Sequence, residues 1–98
     1  MPVKYASEEV FKKLLEKLGV KYRGVSKSGE PQLQYGNRLF SISRKEKFKG
    51  GNEGYKVEAI RKMLGIVSLE KSKEERKSPG AVYNELMKIS KEILGSDF

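Results

Sequence analysis

Gln32 and Gln34 flank Leu33 where polar and apolar residues alternate, and Lys21 and Arg23 repeat the same two-residue spacing upstream. On a β-strand, residues two apart share a face, so each pair would present its side chains together. An Arg fork matches the acceptors of guanine, a Gln amide matches the donor and acceptor of adenine, and a Ser hydroxyl suits either base. Ser41 and Ser43 extend the set in the next alternating stretch. The chemistry open to these residues is recognition of base edges by hydrogen bonds. The bland alternative is an antiparallel sheet with one wet, polar face.

The rest of the inventory points away from catalysis. The chain of 98 residues has no His and no Cys, and its only Asp is Asp97. The usual general base, the thiolate nucleophile, the commonest zinc ligands and the paired aspartates of two-metal nucleases are therefore missing. Glu46, Glu53 and Glu58 are scattered carboxylates and read as solvated charges, not as a metal site. Gly50-Gly51-Asn52-Glu53-Gly54 lacks the Lys-Ser/Thr ending of a phosphate-binding P-loop. A non-enzymatic protein without cofactor or metal is expected.

Charge is concentrated in the middle of the chain. Residues 20–64 hold 11 basic and 4 acidic residues, whereas the flanks 1–19 and 65–98 are nearly balanced, and the whole chain carries +8. Segregated positive charge is the electrostatic footprint of a polyanion binder. Lys27, Arg38, Arg44, Lys45, Lys47 and Lys49 would flank the base-reading residues and meet phosphates. Phe48, set among these lysines, stands between a core role and base stacking.

The elements that would position these residues follow from periodicity. Ser7-Glu8-Glu9 caps a first helix whose Phe11, Leu14, Leu15 and Leu18 share a face, and Gly19 ends it. Three short strands follow, Lys21–Ser26, Gln32–Tyr35 and Arg38–Ser43, the last two joined at Gly36-Asn37. Leu33, Tyr35, Phe40 and Ile42 would face the core, leaving Lys21, Arg23, Gln32, Gln34, Ser41 and Ser43 outside. Arg44–Gly54 reads as a loop, and Tyr55–Leu64 as a second helix ended by Gly65. Ile66–Leu69 is a short apolar run, either a fourth strand or a segment packed across the core, and residues 70–77 are a charged linker. Ser78-Pro79 starts a third helix with a broad apolar stripe, including Val82, Leu86 and Ile93, that must bury against its own domain or a second copy. No apolar run approaches the ~20 residues of a membrane span, so a cytoplasmic protein is expected.

Tyr22-Arg23-Gly24-Val25, followed by a second strand, a Gly-Asn turn, Arg38-Leu39-Phe40 and an amphipathic helix, resembles the AP2/ERF-type DNA-binding domain. That resemblance covers about residues 21–64. It implies a three-stranded sheet that reads the major groove with a helix packed behind. Residues 7–66 also resemble the HicA mRNA-interferase toxins and the double-stranded-RNA-binding domains whose fold they share. Ser28-Gly29-Glu30-Pro31-Gln32 stands where those toxins carry a catalytic His, so their cleavage chemistry is not implied.

These readings predict an α+β fold in the order α-β-β-β-α-α, a small three-stranded antiparallel sheet with helices on one face. Residues 1–69 would form the binding core and residues 78–95 a C-terminal helix. The expected partner is nucleic acid, duplex DNA ahead of RNA, contacted through Lys21, Arg23, Lys27, Gln32, Gln34, Arg38, Arg44, Lys45, Lys47 and Lys49. No membrane association is expected, and the third helix offers a route to a homodimer. The rival is a protein-interaction module, a small regulator or inhibitor working through that helix's apolar face.

Overall fold

A computed structural model describes residues 5–48 and 51–95. The chain is α+β, with three helices and two three-stranded antiparallel sheets. Lys49 lies outside the described residues.

Helix α1, Glu8–Leu18, forms where its sequence signals it. The Ser7 hydroxyl accepts from the Val10 N–H at 3.3 Å, and Glu8 and Glu9 sit against the positive end of the helix dipole. Gly19 closes the helix at φ +77°, a conformation that other residues adopt only with strain. Phe11, Leu14, Leu15 and Leu18 are buried on one face.

Strands β2 (Lys21–Val25), β3 (Pro31–Tyr35) and β4 (Arg38–Ser41) make the expected meander, with β3 in the centre. The register pairs Lys21 with Gln34, Tyr22 with Leu33, Leu33 with Phe40 and Tyr35 with Arg38. Leu33 is fully buried, and Tyr22, Tyr35 and Phe40 pack around the core.

The second sheet has no local signal in the sequence. It comprises β1 (Tyr5–Ala6), β5 (Glu46–Lys47) and β6 (Glu53–Lys56), with β6 central. The stretch read as the Arg44–Gly54 loop is in fact partly a hairpin, and Tyr55 and Lys56 belong to a strand instead of the second helix. The cause is tertiary. Tyr5 pairs with Lys56 and Ala6 with Tyr55, a pairing between positions about 50 residues apart in the chain that local periodicity cannot report. Gly54 makes it possible: a Cβ there would strike the Tyr5 ring and lie 2.5 Å from the Ala6 carbonyl oxygen. Tyr55 is buried and packs its ring on Phe11, with centroids 4.1 Å apart.

Helix α2 runs from Val57 to Glu75, so Gly65 does not end it and most of the expected 70–77 linker is helical. A mid-helix glycine costs about 1 kcal/mol relative to Ala. Burial of Met63, Leu64 and Val67 around it outweighs that. Helix α3, Pro79–Leu94, is capped by Ser78, whose hydroxyl accepts from the Ala81 N–H at 3.2 Å. It packs along α2 and against α1. Val82 and Leu86 are buried in the same core as Phe11, Leu33 and Ile60. The helices thus cover one side of the β2–β3–β4 sheet, and among the described residues nothing packs on the other.

Candidate nucleic-acid interface

The open face is built by strand alternation and one bulge. Lys21, Arg23, Gln32, Leu39 and Ser41 are exposed on it, and Gln34 is half-buried. Between Tyr22 and Gly24 the register slips, so Arg23 and Gly24 together stand opposite Gln32. Gly24, at φ +123°, supplies the conformation the bulge requires. The bulge aims Arg23 inward over the sheet: its Nη1 donates to Gln34 Oε1 at 2.6 Å. Gln34 Nε2 in turn donates to the Gly36 carbonyl at 2.8 Å. Both ends of the Gln34 amide are therefore engaged, and its visible role is to orient Arg23. Gln32 on β3 and Leu39 and Ser41 on β4 line a shallow hollow beside Arg23.

The flanking cations divide into two groups. Lys27, Arg44, Lys45 and Lys47 come together at the Ser28-Gly29 end of the sheet, where they line a groove with Glu46 and Glu53. Lys21 and Arg38 stand at the opposite, Gly36-Asn37 end. Arg38 pairs with Tyr35 and so takes the inner-face register, though it is exposed. Glu74 approaches that end, with Oε1 3.5 Å from where a Gly36 Cβ would lie.

Not every cation in the groove is available. Lys45 Nζ donates to Glu8 Oε2 at 2.7 Å, and Lys12 lies 3.4 Å from the other Glu8 oxygen. The Lys45 hydrogen bond, partly opposed by burial and reinforced by Lys12, holds the Glu8 carboxyl below the usual carboxylate range. The same bond raises the Lys45 ammonium above the usual lysine value. Lys56 pairs with Glu46 at 3.2 Å, fastening β6 to β5. Lys27, Arg44 and Lys47 are exposed and have no ion-pair partner among the described residues. The Glu8–Lys45 pair spans 37 positions and had no sequence signal, because Glu8 already had a local reason to be there.

Phe48 is half-buried, and one face of its ring is taken up by a neighbour. Its ring lies flat on Tyr5, with centroids 4.2 Å apart and planes 6° from parallel. Among the described residues no group of three or more acidic side chains could hold a metal ion, and no helix is long and apolar enough to cross a membrane. No family model, curated protein or solved structure matches the chain.

Proposed function

We propose that the protein binds duplex DNA without catalysis, laying the outer face of the β2–β3–β4 sheet in the major groove. One observation carries this reading: none of the described residues covers the face holding Lys21, Arg23, Gln32 and Ser41, and the segment that builds it carries almost no acids. Residues 21–45 contain six basic residues and a single acid, Glu30, which is half-buried and accepts from the Ser28 hydroxyl at 3.2 Å.

The dimensions suit the ligand. Two adjacent strands about 4.8 Å apart form a ribbon of the width the major groove admits, with the third strand at its rim. The major groove of B-DNA is about 12 Å wide, and each base pair shows a distinct pattern of donors and acceptors there. In A-form RNA the equivalent groove is too deep and narrow for side chains to read, which favours DNA. Leu39, 63% exposed on this face, is suited to a thymine methyl. The rival reading needs the apolar stripe of α3, but Val82 and Leu86 are already inside the chain's own core.

Arg23→Ala tests the face. It should weaken duplex DNA binding by about 1–3 kcal/mol and reduce discrimination among sequences, with the melting temperature unchanged. Wild-type affinity in this variant would remove the sheet face from the account.

A further inference from the structure

The groove at the Ser28-Gly29 end has a composition that the base-reading face does not explain. Its cations converge from three separate segments: Lys27 from the β2–β3 turn, Arg44 from the segment after β4, and Lys47 from β5. Arg44 is seated against the turn, with Cβ 3.7 Å and Cδ 3.8 Å from where a Gly29 Cβ would lie. Lys45 and Glu46, which also line the groove, are bound to Glu8 and Lys56. Lys27, Arg44 and Lys47 have no ion pair among the described residues, and the one further carboxylate, Glu53, stands across the strand pair from Lys47 and within electrostatic reach of Lys45.

Small-molecule sites are concave and mostly apolar. This groove, of about 400 Å3, is open to solvent and lined almost wholly by charged and small polar residues. An extended polyanion fits that description better than a compact ligand. We propose that the groove cradles one sugar–phosphate strand of the duplex, with Lys27, Arg44 and Lys47 each meeting a phosphate and Glu53 opposing them. The proposal rests on the DNA-binding reading and adds to it where the backbone runs. The strand passes the Gly29 end of the sheet, away from the Gly36 end where Glu74 lies. Lys45 is excluded from the contacts by its bond to Glu8.

The test compares the salt dependence of binding to a random duplex DNA for wild type, Lys27→Gln/Arg44→Gln/Lys47→Gln and Glu53→Gln. Each lost phosphate contact should reduce the slope of log K against log salt by about 0.9, so the triple variant should lose about 2–3. Its circular dichroism melt should match wild type, since all three side chains are exposed. Glu53→Gln should bind more tightly at low salt, an opposite change that loss of folding cannot mimic. A steep wild-type slope preserved in the triple variant would overturn the groove and leave the DNA-binding reading standing. A wild type that binds no duplex at low salt would overturn both.

Discussion

Adding the same methyl group at two glycines should move stability in opposite directions. At Gly54 an added Cβ would fall 2.5 Å from the Ala6 carbonyl oxygen and 3.0 Å from its carbon, both backbone atoms. Ordinary contact needs about 3.5 Å, so β1 must retreat by about 1 Å. That stretches its hydrogen bonds to β6 beyond useful range and carries Tyr5 away from Phe48. Two hydrogen bonds at about 0.5–1.5 kcal/mol each, with a stacked pair of similar worth, put Gly54→Ala about 1.5–4.5 kcal/mol below wild type. For a domain of this size each kcal/mol moves Tm by about 4–8 °C, so the variant should melt at least about 6 °C lower. At Gly65 nothing lies within 4 Å of an added Cβ, and the residue is in the interior of α2. Gly65→Ala should therefore gain about 1 kcal/mol and melt about 4–8 °C higher. Both variants stiffen the unfolded chain alike, so the contrast reports on the folded state. Thermal melts by circular dichroism measure it. A Gly54→Ala protein melting with wild type, or a Gly65→Ala protein melting below it, would refute the packing of β1 on β6 or the continuity of α2.

Glu8 supplies a pH test. Its carboxyl is depressed below the ordinary 4.5, first by the Lys45 hydrogen bond. A depressed acid contributes stability above its unfolded pKa and loses it as pH falls through the folded value. Glu8→Gln should therefore lower Tm slightly at pH 7, by an amount that vanishes at pH 2–3, and high salt should shrink the effect because the pair is partly exposed. An equal deficit at both pH values would mean that the charge is not what matters. Leu86→Ala, at a fully buried site between α3 and the core, should cost about 2–5 kcal/mol in denaturant melts. That cost should be independent of protein concentration; a concentration-dependent midpoint would place α3 in an interface between copies.

What the sequence disclosed and what it hid divide along the range of the interactions. Helices α1 and α3 were legible because Ser7, Gly19, Ser78 and Pro79 act on their own backbone neighbours. The β2–β3–β4 meander was legible because alternation and the Gly36-Asn37 turn are local too, and the exposed face emerged with Lys21, Arg23 and Gln32 outside as expected. The second sheet was hidden because β1 and β5 are two residues each, too short for any period, and exist only through partners on β6. Gly65 misled because helix propensity is a weak local preference and packing against α3 overrode it. At the candidate interface, residue types were legible and availability was not. Nothing local distinguished Lys45, bound to Glu8, from Lys47, which is unpaired among the described residues, or marked Gln34 as the residue that orients Arg23.

Fluorescence anisotropy of wild-type protein with random duplex DNA and with duplex RNA, each titrated across salt, tests the central claim most directly. The account predicts binding to the DNA duplex that weakens linearly in log salt, and weaker binding to RNA at every salt concentration. Absence of DNA binding at low salt, despite a net charge of +8, would contradict it.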